Sequence, residues 1–340
     1  MRVEPTVAPA RLTDVPASTP GPVRRAAILS VATELPEGRL TSAEIAERLG
    51  ISEQWILSRT GIHERRRAAP DERLADYSAR AGARALSAAG VEATDIDLVI
   101  AATMTPDEVT PNTAPLVADL LGTRNAGAFD VGAACTAFLS GLSIAAAQIE
   151  TRRAERVLLI GADFITRLVN YDDKATAPLF ADGVGAAVVG QANGNGRIGP
   201  IVLGSDGSGA PAIYAKHEDR QLVMDGQEVF RHAVSRMSEV TEQAIDRAGI
   251  SLQDIDLFVY HQANARITRA VGERLELDFD RVVDCIAELG NVSAATLPVA
   301  LSIANEDGRL WPGARVLLCA FGAGFTWGAG VIEWGGAGGG

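Results

Sequence analysis

The sequence predicts an α/β protein made of two duplicated halves, each a mixed sheet covered by helices, stacked as α/β/α/β/α layers. Two observations carry that expectation. Apolar strand-like runs alternate with helically spaced ones along most of the 340 residues. One offset also recurs: Ala89-Gly90-Val91 leading to Asp95-Ile96-Asp97-Leu98 is similar to Ala248-Gly249-Ile250 leading to Asp254-Ile255-Asp256-Leu257, a shift of 159 (256 − 97). Arg156-Val157-Leu158-Leu159 matches Arg315-Val316-Leu317-Leu318 at the same shift (315 − 156), and agreement at two distant places marks a repeat. Cys135 then falls opposite Ala294.

In order, a strand over residues 26–31 leads through Leu35-Pro36-Glu37-Gly38 to a helix opening near Thr41, where Thr41, Ser42 and Glu44 offer capping chemistry. A helix over 52–60 is stopped by Gly61, a long helix covers 75–89, and 96–103 reads as a buried strand. Phe129-Asp130-Val131 is a short apolar strand running through Gly132, Ala133 and Ala134 into Cys135 and a helical pattern from Phe138 onward. In the second half, 255–260 and 316–320 read as strands. We divide the chain into a flexible tail (1–23), an N-terminal half (24–195), a C-terminal half (196–334) and a glycine-rich tail (335–340).

The net charge of −12 argues against nucleic-acid or anionic-membrane binding, since phosphate attraction requires a cationic face. Cys135, Cys285 and Cys319 are odd in number and widely spaced, so neither a disulfide framework nor a metal site is expected; a reducing cytoplasm fits. No run of about 18 apolar residues suggests a span, and the N-terminus lacks the apolar core of a signal peptide.

Cys135 is placed at a helix start, where unpaired N–H groups favour thiolate over thiol. A buried structural cysteine is the plain alternative. His261 follows directly on the strand 255–260, and strand ends are where ligands lie in open α/β sheets. A third small, polar turn surrounds Asn291, in Gly290-Asn291-Val292-Ser293-Ala294-Ala295.

These segments, taken together, resemble β-ketoacyl-acyl carrier protein synthase III of the thiolase-like superfamily. The matching stretches are Ala134-Cys135 with Phe138, His261-Gln262-Ala263-Asn264 with Arg266-Ile267, Gly290 to Ala295, Trp55-Ile56 with Arg59-Thr60-Gly61-Ile62, and Phe321-Gly322-Ala323-Gly324-Phe325-Thr326-Trp327-Gly328. The resemblance spans about 25–334 and implies a thiolase-like fold. It implies Cys135 as the nucleophile that takes an acyl group from a thioester, with His261 and Asn291 donating to the thioester oxygen of a malonyl donor. Backbone N–H groups of Cys135 and Ala323 would form the oxyanion hole. Loss of CO₂ supplies the carbon nucleophile, so no carboxylate base is required.

The same resemblance places Trp55, Arg59, Lys174 and Asn264 at coenzyme A, with Lys174 where an arginine is usual. Arg231, Arg266, Arg269 and Arg274 would dock an acidic acyl carrier protein, although Glu273 stands where a basic residue is usual. Thr110 and Phe180 would bound the acyl pocket; Thr110 replaces a bulky aromatic from a partner subunit, which implies a starter larger or more branched than acetyl. Thr136 replaces a usual alanine without evident reason. Acyl-coenzyme A and malonyl-carrier protein are the implied substrates of a cytoplasmic homodimer with no cofactor or metal. A non-decarboxylative acyltransferase moving the acyl group to an alcohol, amine or carrier thiol is the alternative. Keeping Cys135, His261 and Asn291 together argues against a catalytically silent subunit. Cys319 reads as buried core and Cys285 as structural.

Overall fold

In the computed structural model, residues 24–192, 194 and 196–335 are described. The tail expected over 1–23 and residues 336–340 of the glycine-rich tail lie outside them. The chain runs β1 (Ala26–Glu34), β2 (Arg39–Thr41), α1 (Ser42–Leu49), α2 (Glu53–Thr60), β3 (Glu64–Arg66), α3 (Leu74–Ala89), β4 (Leu98–Ala102), α4 (Thr113–Leu121), β5 (Gly127–Val131), α5 (Ala137–Glu150), β6 (Arg156–Phe164) and β7 (Asp182–Gln191). It continues with β8 (Arg197–Ser205), β9 (Ile213–Ala215), β10 (Leu222–Met224), α6 (Gly226–Ala248), β11 (Leu257–Tyr260), α7 (Ala265–Arg274), α8 (Ile286–Leu289), α9 (Thr296–Glu306), β12 (Arg315–Gly322) and β13 (Thr326–Glu333).

Among the described residues two large sheets form, β1-β7-β6-β4-β5 and β11-β12-β13-β8, beside the two-stranded pairs β2-β3 and β9-β10. β4 runs parallel to β6 with Leu98 opposite Val157, and β11 runs parallel to β12 with Leu257 opposite Val316, so the 159-residue repeat is a repeat of strand register. The matched aspartates hold it. Asp97 Oδ2 accepts from the backbone N–H groups of Glu155 and Arg156 at 2.6 and 3.0 Å, and Asp256 Oδ2 accepts from Arg315 N–H at 2.8 Å. The second sheet lacks a counterpart of β5; one bridge between Phe258 and Val282 stands in its place. We propose the short connection between β7 and β8 as the boundary of the halves.

Each sheet is covered by helices on both faces. On the outside, Ala81 and Ala85 of α3 and Val117 of α4 meet Val99, Leu158 and Ile160, while Met237 and Val240 of α6 and Val271 of α7 meet Phe258, Tyr260 and Leu317. Between the sheets lie α5 and α9, whose Phe138, Leu142, Leu297 and Leu301 share one core with Leu159 from the first sheet and Leu318 from the second. A helix facing a sheet on each side has no room for a polar stripe, and α9 accordingly buries Thr296 through Ser302 without a break. The architecture is the expected α/β/α/β/α stack.

The expected helix starts and stops form as the local chemistry dictates. Thr41 caps α1 in a reciprocal box with Glu44, Ser52 caps α2, and Gly61 ends α2 in the left-handed region (φ 74°). Strands expected from Ile96 and Ile255 begin later, at Leu98 and Leu257, because 93–95 and 252–254 close 3₁₀ turns first. β5 is an edge strand with Phe129 39% exposed, so its apolar sequence does not mean burial.

The abundant small residues are explained where α9 crosses the first sheet. A Cβ on Gly161 would stand 2.5 Å from the Ala294 carbonyl oxygen, and one on Gly185 would stand 2.8 Å from Pro298 Cβ. Gly161→Ala is therefore expected to destabilise the protein by ~1–3 kcal/mol through overpacking. Thermal denaturation checks this, and a midpoint unchanged within about 1 °C would show that the contact is not tight.

Candidate active site

Two tight turns meet at the centre of the molecule. Residues Ala134–Thr136 and Ser293–Ala295 each form a 3₁₀ turn that runs directly into α5 or α9, and they stand 159 residues apart (293 − 134). Ala134 (φ 45°) and Ser293 (φ 50°) both adopt the left-handed backbone that side-chain-bearing residues avoid. That bend thrusts the following residue forward. In one turn the residue is Cys135, and in the other it is Ala294.

Extending the offset shows why the chemistry is built once rather than twice. His261 corresponds to Ala102 (261 − 159), Asn291 to Gly132 (291 − 159) and Asp163 to Gly322 (322 − 159). At every pair one half carries the reactive or polar group and the other a small residue that makes room for it. Fully buried Asp163, at the end of β6, reaches across to the second turn, where Oδ2 accepts from Ala294 N–H at 3.2 Å. Its Oδ1 accepts from Thr103 Oγ1, Met104 N–H and Thr105 Oγ1. Gly322, at the end of β12, has no side chain to offer the cysteine turn. A Cβ there would lie 2.9 Å from Cys135 N. The Ala294 amide is therefore occupied, whereas no side chain from position 322 covers the Cys135 amide.

Asn291 is held by a bridge to Phe180: its N–H donates to Leu179 O, and its carbonyl accepts from Ala181 N–H, both at 2.9 Å. Ser293 N–H donates to Asn291 Oδ1 at 2.9 Å, which leaves Nδ2 as the free donor. His261 is 2% exposed, and its N–H donates to Cys319 O at 2.7 Å. The turn around it is braced by Gln262, whose Nε2 donates to Val283 O and whose Oε1 accepts from Cys285 N–H. Nδ1 of His261 is buried without a hydrogen-bond partner, and burial pushes the imidazole down to about 4. It is a neutral ring at physiological pH.

Cys135 corrects the expectation of a thiolate at a helix start. Burial pushes its thiol up to about 12, the charge of Asp163 adds to that, and the Ser293 hydroxyl, 3.5 Å from Sγ, opposes it. Desolvation outweighs one short 3₁₀ turn of partial positive charge. The site thus rests as thiol and neutral imidazole. Thr136, unexplained by the sequence, donates to Ala133 O at 2.8 Å and shares a hydrogen bond with Thr326 Oγ1 at 3.0 Å, tying the cysteine turn to β13.

A cavity of about 650 Å³ brings Cys135, His261, Asn291, Gly322 and Ala323 together. Phe180, Ile213, Met224 and Phe230 also line it, as do Trp55, Arg59, Lys174 and Asn264. The Arg59 guanidinium lies 4.3 Å from the Trp55 ring centroid, and Asn264 spends Oδ1 capping α7 through Arg266 N–H. Of the four arginines expected to meet a carrier protein, Arg266 borders the cavity and lies over Phe230, and it shares a neighbouring groove with Arg269 and Glu273. Arg231 is paired with Glu228 at 2.6 Å, and Arg274 is exposed at the end of α7. Thr110 is not brought to the cavity; it lies on an exposed loop beside Val109, which is 94% exposed. Cys319 is wholly buried in β12 and Cys285 half-buried, and neither lines the cavity.

Sequence reasoning missed Asp163, Ser293 and the reason for Gly322. The offset that paired Cys135 with Ala294 would have found all three if carried to the strand ends. Among the described residues no group of His, Cys, Asp and Glu is arranged to hold a metal, and no helix is long and apolar enough to cross a membrane.

Comparison with known proteins gives the same picture. The family described as 3-oxoacyl-[acyl-carrier-protein] synthase III matches residues 129–207, and its C-terminal part matches 245–334. β-Ketoacyl-[acyl-carrier-protein] synthase III 2 of Streptomyces coelicolor is 43% identical over 314 residues, covering 92% of this chain and 94% of the relative. The Clostridioides difficile β-ketoacyl-[acyl-carrier-protein] synthase III is 42% identical over 324 residues, 91% of this chain and 98% of the relative. Among solved structures, the Aquifex aeolicus 3-oxoacyl-[acyl-carrier-protein] synthase III superposes with a TM-score of 0.89 at 35% identity, covering 91% of this chain and all of that one. The priming β-ketosynthase of the R1128 polyketide pathway does so with a TM-score of 0.89 at 35% identity, over 94% of this chain and 99% of the other. With the two lobes, the cysteine turn and the His and Asn turns all matched along the chain, this protein belongs to the 3-oxoacyl-[acyl-carrier-protein] synthase III family, within the thiolase-like fold.

Proposed function

We propose that the protein loads an acyl group from an acyl thioester onto Cys135 and condenses it with a decarboxylating malonyl thioester, releasing a β-ketoacyl thioester. The observation that carries this reading is one cavity lined by a half-buried thiol, a buried neutral imidazole and a buried amide donor fixed by its neighbours. The protein is a β-ketoacyl-acyl carrier protein synthase III-like acyltransferase, and the priming of fatty-acid or polyketide chains is the place that such an activity occupies.

In loading, Sγ attacks the thioester carbonyl, a new C–S bond forms, and the bond to the departing thiol breaks. With the thiol pushed up and the imidazole pushed down, no ion pair waits before the thioester arrives; the proton leaves sulfur as the carbonyl oxygen takes up charge and goes out on the departing sulfur, which leaves as a thiol. That oxygen fits against the backbone N–H groups of Cys135 and Ala323. In the second half-reaction the malonyl carboxylate leaves as CO₂ and its electron pair becomes an enolate. His261 and Asn291 Nδ2 donate to the enolate oxygen, where the charge accumulates. A neutral imidazole suits this work because it donates a hydrogen bond without placing a fixed charge in a dry site. The enolate carbon then attacks the acyl carbonyl on Cys135, the C–S bond breaks with its electron pair returning to Sγ, and the sulfur takes up a proton from solvent to restore the thiol.

The rim formed by Trp55, Arg59, Lys174 and Asn264 suits a coenzyme A nucleotide, by stacking and by cationic contact with phosphate. Arg231, Arg266, Arg269 and Arg274 suit an acidic carrier protein on a chain whose net charge is −12. We also propose a cytoplasmic homodimer that needs no cofactor. Thr110 serves an acyl pocket only across a dimer interface, and its loop, with Val109 and the β5 edge at Phe129, offers exposed apolar surface to a second copy.

Incubation with acetyl-, isobutyryl- and hexanoyl-coenzyme A followed by malonyl-carrier protein is expected to label wild type but not Cys135→Ala, then to yield β-ketoacyl product with CO₂. Preference for the larger starters follows from the small Thr110. Intact-mass measurement checks both, and transfer to an acceptor without CO₂ would instead establish simple acyl transfer. Malonyl decarboxylation should survive Cys135→Ala and fall ~10²–10³-fold on adding His261→Ala or Asn291→Ala. Unchanged CO₂ release in those double variants would remove both residues from the enolate site. In Cys135→Ala the decarboxylation rate should also stay level from about pH 5 to pH 8, because an imidazole held near 4 is unprotonated throughout. A half-maximal point near the ordinary histidine value would contradict this.

A further inference from the structure

Ser293 is the one side chain, among the described residues, with a hydrogen-bonding contact to the nucleophilic sulfur: its Oγ lies 3.5 Å from Cys135 Sγ. It is wholly buried. The backbone does not require a hydroxyl at this position. Its repeat counterpart, Ala134, makes the same left-handed bend (φ 45° against 50°) with a methyl group alone.

The surrounding turn is anchored through other atoms. Ser293 N–H donates to Asn291 Oδ1, and Ala294 N–H donates to Asp163 Oδ2. The hydroxyl has two further contacts, Met104 Sδ at 3.6 Å, a weak acceptor, and the buried carboxyl of Asp163, which also draws on its proton. The proton of this hydroxyl therefore has two sulfurs and the Asp163 carboxyl within reach, and of the sulfurs only Cys135 Sγ becomes an anion, at which point it competes with Asp163 for the proton. Asp163, buried nearby, makes that anion costly.

We propose that Ser293 is a further catalytic residue, whose hydroxyl donates a hydrogen bond to Cys135 Sγ whenever negative charge resides there. The inference rests on Cys135 being the acyl-carrying nucleophile. It applies twice per cycle. On loading, Ser293 stabilises the attacking sulfur before the new C–S bond forms; on condensation, it donates to Sγ as the C–S bond breaks behind the new C–C bond and the electron pair returns to sulfur. Its proton stays on oxygen throughout, so no co-reactant is consumed.

The test uses Ser293→Ala in the full chain, a substitution that Ala134 shows this backbone to accommodate. Rapid-quench intact-mass measurement with hexanoyl-coenzyme A follows acylation of Cys135. Malonyl decarboxylation, compared between Cys135→Ala and Cys135→Ala/Ser293→Ala, reports on the His261 and Asn291 side of the site. Acylation is expected to slow ~10- to 100-fold, the worth of a hydrogen bond to a charged group, and the ratio of acylation to decarboxylation to fall at least about tenfold. Acylation within about twofold of wild type would overturn the proposal. So would an equal fall in both partial reactions, which would mark Ser293 as a structural residue. A wild-type protein that no thioester acylates at Cys135 would overturn the reading beneath the inference, and the inference with it.

Discussion

The structure depends on the close approach of two turns from opposite sheets. Gly161 and Gly185 let α9 settle against the first sheet, and Gly322 lets the end of β12 lie against the backbone of Cys135. Remove that clearance and the turns separate. The helices α5 and α9 that follow them form the central layer shared by both sheets, so the turns are placed by the largest core in the molecule. An active site in this position is positioned by packing rather than by loops, which restricts the motion of its groups.

Duplication gave two equivalent places, and the substitutions made them unequal. The residue after the bend is cysteine in one turn and alanine in the other. The strand-end residue facing each turn is aspartate at 163 and glycine at 322. The consequence is electrostatic as well as steric. An aspartate facing the cysteine turn would take the Cys135 amide as Asp163 takes the Ala294 amide, and would set a carboxylate where the proposed reaction forms an oxyanion. Gly322 removes that competitor, and Asp163 instead braces the half that carries Asn291.

Much of this was legible in the sequence, for a physical reason. Repeat register is recorded in residues that hold neighbouring strands together, so Asp97 and Asp256 reported the duplicated strand pairs from pattern alone. Capping chemistry at Thr41 and the stop at Gly61 were readable because they act within a few residues. Protonation states were not readable, because they depend on how many atoms surround a group. Cys135 at a helix start suggests an acidic thiol, yet its burial among chain segments more than a hundred residues apart reverses the sign. Asn264 was likewise read for its place in a motif, while its oxygen is committed to a helix cap. Asp163 and Ser293 lay in apolar or small-residue surroundings that gave no local signal.

Burial of this site has one further consequence for the chemistry. A charged general base would be expensive here: the imidazole is held neutral, and the thiol is held protonated. Such a site cannot strip a proton from carbon without first creating and sheltering an ion pair. Decarboxylation avoids the requirement, since the departing CO₂ leaves the electron pair on carbon and the negative charge enters with the substrate. The site then has only to hold donors at the places where that charge moves, from the enolate oxygen to the acyl oxyanion and finally to sulfur. In the proposed reaction two side-chain donors would serve the first and backbone amides the second, with imidazole and thiol uncharged between turnovers. Low polarity, which opposes acid–base catalysis, strengthens every one of those hydrogen bonds.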